Sequence, residues 1–375
     1  MRRAALAVVV VGVLGSVSRA RAEPWTVTME GGGEADSNVQ RVESGGAMAP
    51  VAAPVGRAGA RIDHKDQLLG GGYTLGLSSL ARMVANSNIT DENVMLLAGD
   101  GRWLHPIGDR PVAVGVGLTA ADAFPIASDT GARTFRNLGG DALIALGTGE
   151  DRHLVLAIGG RDFRYKPNRI FDWRGGAANA RFDLVLWQPT GTTRSLELAV
   201  SLGFEARGYR TTALTNTCPP TAPPTASLCS TGTTLTRRDR YQRAGLELGW
   251  TGEIVATAGY QLTVIHSNSY GQSQVRHRIM ASATMELFDR LFGTVTATLQ
   301  IDQYPDGLLV ANDLQHQEFT NLEDENRSSL QIRIARALTA AWSLEARGAV
   351  WRDLGNPGAA SFRRELVYGG VIYSH

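Results

Sequence analysis

The chain has 375 residues, with 37 basic and 36 acidic side chains and a net charge of +1. Residues 1–22 hold four of the arginines and no acid, so the remainder is slightly negative and lacks the concentrated basic surface that nucleic acid requires. Cys218 and Cys229 are the only cysteines and no histidine lies near them, which excludes a cysteine-based metal centre.

Arg2 and Arg3 precede an apolar run from Ala4 to Val17, and Ala20-Arg21-Ala22 is a small-x-small site. This is the layout of a cleaved secretory signal, leaving residues 23–375 as one domain. The apolar run is short for a membrane helix, which takes about 20 apolar residues, and no later segment offers a longer one. A membrane location would therefore have to be achieved with strands.

Beyond the signal, apolar residues recur at every second position. Leu196, Leu198, Val200, Leu202 and Phe204 alternate with small or polar residues. Leu246, Leu248 and Trp250 do the same, as do Val295, Ala297, Leu299 and Ile301, and then Leu330, Ile332 and Ile334. A period of two is the mark of a strand with one apolar face. Taken in order, strands are expected at 25–41, 54–64, 68–83, 92–105, 111–120, 133–147, 152–165, 179–188, 194–210, 236–251, 253–266, 273–288, 291–303, 327–338, 341–353 and 362–375.

Two architectures share this pattern. A soluble antiparallel sheet turns its apolar face inward, whereas a membrane barrel turns it toward lipid. Many of the segments exceed the usual soluble strand of about 5–6 residues and suit the roughly 9–11 of a tilted membrane strand. The gaps between them alternate, long then short, as outside loops and periplasmic turns do. The expected fold is all-β: a transmembrane antiparallel up-and-down barrel of 14–16 strands, with both termini in the periplasm. Trp103, Trp187, Trp250, Trp342 and Trp351 fall near strand ends, where the membrane interfaces would lie.

Cys218 and Cys229 bracket a Pro/Thr-rich stretch and are expected to form a disulfide closing an outside loop. If the apolar faces meet lipid, Arg243, Glu247, Arg278, Glu286, Arg333, Glu345 and Arg347 project into the lumen. Such charges either line a permeation path or brace the wall by pairing across strands. A barrel of this size leaves an aqueous channel unless something fills it. The loop around Cys218 is the candidate filler.

The last strand resembles the C-terminal signal by which outer-membrane proteins are recognised for assembly. Val367, Val371 and Tyr373 hold alternate apolar positions, accompanied by Tyr368 and Gly370, and His375 stands where the terminal phenylalanine usually is. Further segments resemble outer-membrane barrels of the uncharacterised deltaproteobacterial and myxobacterial kind. They are Asp36-Ser37-Asn38-Val39, Ser267-Asn268-Ser269-Tyr270-Gly271 with Arg276-His277-Arg278, Tyr304-Pro305-Asp306-Gly307, and Asp324-Glu325-Asn326-Arg327-Ser328-Ser329-Leu330. The resemblance implies a location and a fold but brings no catalytic residues. The partners it implies are outer-membrane lipid, lipopolysaccharide and the barrel-assembly machinery, with envelope export or motility components as further candidates.

His266-Ser267-Asn268-Ser269 is the sharpest enzyme candidate. Membrane lipid hydrolases of this architecture carry a His-x-Ser-Asn pattern that puts base and nucleophile on one face of a strand. Here Asn268 stands two residues after His266, and Ser267 and Ser269 fall on the other face. The Asp36 and Asp324 segments lack the spacing of a calcium loop. Gly70-Gly71-Gly72 does not join a strand to a helix, so it is read as a bend and not a phosphate loop. His64, His105, His153, His277 and His316 are scattered, and neither a metal nor a cofactor is expected. The functional readings are then a channel or the outer-membrane conduit of an export system, next a non-conducting envelope, adhesion or motility-complex barrel, and last a lipid hydrolase.

Overall fold

The computed structural model describes residues 25–42, 49–126, 131–149, 151–217, 230–305, 327–352 and 362–375. The signal segment and the cysteine pair lie outside the described residues. The strands are β1 (Trp25–Asp36), β2 (Ala53–Leu68), β3 (Gly71–Val84), β4 (Val94–Pro106), β5 (Val112–Pro125), β6 (Phe135–Gly149), β7 (Arg152–Tyr165), β8 (Trp173–Trp187), β9 (Ser195–Asn216), β10 (Ser230–Thr251), β11 (Ile254–Ser267), β12 (Gln274–Phe288), β13 (Leu291–Gln303), β14 (Ser328–Ala337), β15 (Trp342–Arg352) and β16 (Arg363–Ser374). Each pairs antiparallel with the next, and β16 pairs with β1, so the sheet is a closed up-and-down barrel. Closure removes every free edge and pairs the backbone within the wall.

The strand set matches the alternation in the sequence, and the differences lie at the edges. β8 begins at Trp173, well before 179, and β9 and β10 run on to Asn216 and back from Ser230. These added stretches have no apolar face and so no period to reveal them. Those of β9 and β10 are held by the ladder between them and by Thr-rich, strand-favouring composition, and that of β8 by its ladders to β7 and β9.

The connections are short at one end of the barrel and longer at the other. Leu69 and Gly70 alone join β2 to β3, with φ of 52° and 73°. Positive φ at both central residues is the geometry of a tight hairpin turn whose twist suits the strands. The glycine run at 70–72 therefore serves a turn. At the other end two short 3-10 turns, Ser87–Glu92 and Arg169–Phe171, sit in the connections after β3 and β7.

The pairing register separates the two faces. Leu246, Leu248, Leu299, Ile332 and Ile334 point outward and are exposed, while Gly245, Glu247, Thr298, Gln331 and Arg333 point inward. Leu118 is 65% exposed, Ile158 67% and Leu202 60%. A soluble sandwich would bury these side chains. Here they form an outward apolar belt, far larger than the few hundred Å² that soluble monomers expose.

Outward aromatics gather at the short-turn end. Trp25 stacks on His64 with ring centroids 3.9 Å apart, Trp187 on Trp250 at 5.6 Å, and Trp342 meets Tyr373 at 5.0 Å. Trp103 donates its indole N–H to the Leu68 carbonyl at 2.9 Å. Trp351 departs from this set. It faces inward at the long-loop end and is buried under the Arg364 guanidinium, 4.7 Å from the ring centre.

The packed core lies inside the barrel at the long-loop end. Phe135, Phe163, Tyr165, Phe171 and Trp173 form its largest part, joined by Leu80, Val94 and Tyr209. Val39, Val55, Val84 and Ile89 make a second cluster, and Trp351, Phe362, Leu366 and Tyr368 a third.

Candidate functional site

The inner wall is the chemically distinctive surface. Strand alternation sends every second residue into the lumen, and on most strands the inward set includes charged side chains. At the long-loop end these charges are buried and tightly paired. Arg82 donates to Glu34 at 3.0 Å and to Asp36 at 2.5 Å, and Arg364 donates to Asp36 at 2.7–3.1 Å. Arg237 and Asp239 pair at 2.6 Å, and Arg133 holds Glu92 at 2.7 Å.

An aromatic and arginine row crosses the same level. Phe135 on β6, Phe163 on β7 and Trp173 on β8 stack with centroids 5.9 and 5.8 Å apart. Arg207 on β9 continues the row. Its guanidinium lies 4.2 Å from the Trp173 ring centre and 3.9 Å from that of Tyr241 on β10. Glu205 accepts from Arg207 at 2.8 Å and from Arg243 at 2.8 Å, so the row ends in an ion pair. Its members are almost fully buried.

The middle of the wall is more open. Arg57 donates to Glu30 at 3.1 Å, Arg161 to Asp141 at 2.8 Å, and Arg61 holds Asp63 at 2.5 Å with Asp100 at 3.6 Å. Arg57 and Arg347 both lie over the Tyr368 ring, at 5.7 and 5.0 Å. Tyr368 is laid flat across the joint of β16 and β1, where only glycine fits. A Cβ on Gly370 would stand 2.1 Å from the Tyr368 hydroxyl, and one on Gly32 would stand 2.7 Å from it. Arg102, between Thr74 and Gly117 in the register, makes no ion pair among the described residues, and two of its guanidinium nitrogens are buried without a hydrogen bond. Toward the short-turn end the wall is hydroxylic, with Ser282 near Thr296 at 3.2 Å and Thr284 near Thr294 at 2.9 Å.

All seven charged residues singled out in the sequence lie on this inner face, but they form no single cluster. Arg243 pairs with Glu205, Glu247 receives Arg181 at 3.4 Å, and Arg333 donates to Glu345 at 2.6 Å. Arg347 stands over Tyr368, and Arg278 sits between Gln261 and Gln300 in the register. Glu286 accepts the Arg290 backbone N–H at 2.9 Å and belongs to the β12–β13 turn. The sequence reading missed the aromatic row, Arg102 and the Asp36 cluster. Inward parity at strand ends was the available signal, since Phe135, Phe163, Trp173 and Tyr241 all share it with neighbouring glycines and charges.

His266 and Ser267 do not meet. His266 pairs in register with Arg240 on the outer face, whereas Ser267 points inward and donates to Asp239 at 2.6 Å. The pair therefore lacks base-to-nucleophile geometry. The C-terminal residues divide between faces, with Tyr368 and Gly370 inward and Val371 and Tyr373 outward; His375 continues the outward set and exchanges backbone hydrogen bonds with Val27 at 2.8 and 2.9 Å.

No family model matches the chain, and no curated protein matches it by sequence. Among solved structures, Pseudomonas putida OprB superposes over 94% of each chain with a TM-score of 0.48 and 9% identity. A bacterial polysaccharide outer membrane secretin covers 93% of this chain and 98% of its own, with a TM-score of 0.46 and 7% identity. Acinetobacter baumannii OccAB1 covers 96% and 99%, with a TM-score of 0.42 and 10% identity.

Proposed function

We propose that this chain is an outer-membrane channel whose charged lumen passes small polar solutes through a narrow mouth. One observation carries the reading: the barrel is inverted relative to a soluble fold, with apolar side chains outside and, beyond the apolar packing at the long-loop end, charged and hydroxylic ones inside. Only lipid accommodates that exterior without cost, and only water or polar solute accommodates that interior. Short turns at one end, longer connections at the other and an even strand count support placing both termini in the periplasm. The alternate apolar positions of β16 support its role as the signal for the assembly machinery.

The lumen carries both signs of charge, mostly in pairs, so it lacks the one-sided ring that would make it strongly ion-selective. Arg102 is one exception, a partly buried cation on the inner wall that makes no ion pair among the described residues. Reconstitution of the folded chain into planar bilayers tests the reading. Discrete conductance steps are expected, with Arg102→Glu moving the reversal potential in a salt gradient toward cation preference. A folded, inserted barrel that leaves the bilayer as resistive as before would overturn the channel reading.

A further inference from the structure

The outward face is not uniform around the barrel. At the long-loop margin of the apolar belt, β6 to β10 carry Arg136, Arg164, Arg174, Arg238 and Arg240, with Lys166 just past β7. Each faces away from the lumen, since Arg136 pairs in register with Asp122 and Arg164, and Arg174 with Asp162 and Gly208. Arg136, Arg164 and Arg174 are 49%, 47% and 70% exposed. Asp122 and Asp162 are the two acids set among them. Asp122 receives both Arg136 and Lys166, and Asp162 receives both Arg164 and Arg174, at 3.0 and 2.6 Å. Each carboxylate is thus shared by two cations, and the patch is left with an excess of positive charge.

An apolar groove lies directly beneath. It has a volume of about 700 Å³ and is lined by Leu75, Gly101, Leu118, Leu138, Gly140 and Gly160, with Asp162 at its upper rim. Register ties the two features together, because Leu138 pairs with Asp162, which pairs with Arg174. Packing does not dictate the glycines that hollow this face. A Cβ on Gly101 would meet nothing nearer than 3.8 Å, and one on Gly160 likewise. On the inner face, by contrast, a Cβ on Gly159 would stand 1.9 Å from a backbone oxygen.

The patch also stands at the right height. About a dozen residues separate it from the aromatic girdle; at about 3.3 Å per residue and a tilt near 40° that is roughly 30 Å. An apolar band of about 25 Å ends just below it, at the level of lipid headgroups.

We propose that this face binds one class of lipid: one with a phosphorylated headgroup, its phosphate held by Arg136, Arg164 and Arg174 and an acyl chain laid in the groove. Arginine offers phosphate a planar, bidentate donor set, and a doubly shared carboxylate positions the guanidinia without neutralising them. The inference rests on the membrane reading above and adds the lipid class and its place on the barrel.

The test is native mass spectrometry of the full chain in detergent, titrated with diphosphoryl lipid A and with the same lipid stripped of phosphate. The expected result is selective binding of the phosphorylated form, weakened at least tenfold by Arg136→Gln/Arg164→Gln/Arg174→Gln. Arg352→Gln/Arg363→Gln, outward arginines on β15 and β16, should leave binding unchanged. If the triple variant fails to fold, judged by heat-dependent gel mobility, Arg174→Gln alone should weaken binding several-fold, because Arg174 is the most exposed of the three. Equal binding of both lipids, or full binding by a folded variant, overturns the proposal. So does a lipid-resistant oligomer that Gly160→Leu breaks apart, since the face would then belong to a second copy. Insertion into vesicles is measured separately; a chain that does not insert fails the membrane reading, whereas one that inserts but binds without selectivity fails this proposal alone.

Discussion

Arg364 from the last strand and Asp36 from the first meet across the closure of the barrel, both buried, through hydrogen bonds of 2.7–3.1 Å. Arg82 from β3 reaches the same carboxylate at 2.5 Å. Asp36 is therefore the hub, and the two losses are unequal. Asp36→Ala removes the carboxylate that holds buried Arg364 and leaves buried Arg82 with Glu34 alone, and should cost about 3–5 kcal/mol. Arg364→Met leaves Asp36 still paired with Arg82 and should cost clearly less. Urea unfolding of barrels refolded in lipid vesicles measures both; equal losses would count against the hub.

The flat seating of Tyr368 gives a second pair of outcomes. Gly370→Ala would drive a methyl group into the ring and into the Gly31 carbonyl, 2.7 Å from the built Cβ. It should slow or prevent folding, read as loss of the compact heat-modifiable band on gels. Tyr368→Phe should fold almost normally, because the hydroxyl is buried without a hydrogen-bond partner among the described residues. A phenylalanine variant as impaired as the alanine one would contradict this packing.

The two faces predict opposite tolerances at adjacent residues. Ile332→Arg places a charge against lipid and should cost roughly 2–4 kcal/mol near the membrane centre. Gln331→Arg adds one to a wet wall and should be nearly neutral. Single cysteine substitutions at the same positions separate a membrane barrel from a soluble one. In native membranes the thiol of Gln331→Cys should react with a small water-soluble reagent, and that of Ile332→Cys only with a lipid-soluble one.

The β2–β3 turn holds Leu69 at φ 52°, a conformation costing a residue of this type about 1–2 kcal/mol. Leu69 is 81% exposed, so its side chain contributes little packing in return. Leu69→Asn should raise stability by about 0.5–1 kcal/mol, since asparagine accepts this backbone shape. A fall in the unfolding midpoint would show that Leu69 has an unrecognised contact with lipid.

The wall was legible wherever one face had to be greasy. Leu246, Leu248 and Trp250 announce β10 because lipid selects every second side chain, and the same rule exposed β13 and β14. It failed where that selection stops. The first part of β8 has small residues on both faces from Gly175 to Ala178, and the loop-side part of β9 stands clear of the apolar belt. The charged inner face was legible residue by residue, since parity alone puts Arg333 and Glu345 inside. Their grouping was not, because Asp36, Arg82 and Arg364 come together only through closure of the whole ring. Local pattern carries no record of that.

The joint between β1 and β16 has a consequence for how the ring shuts. At mid-height Gly31, Gly32 and Gly33 face Val371, Gly370 and Gly369, and Tyr368, whose hydroxyl lies over Gly32 and Gly370, interlocks the two strands there. A slip of two residues would keep every side chain on its proper face but would bring Glu30 or Glu34 under the Tyr368 hydroxyl in place of Gly32. Alignment is therefore set in the middle by the seat of Tyr368 and at the two extremities by the Asp36–Arg364 pair and the His375–Val27 backbone exchange. Losing both end anchors together with the Tyr368 ring would leave the final zipper able to close in more than one position, giving a mixture of staggered barrels in place of one.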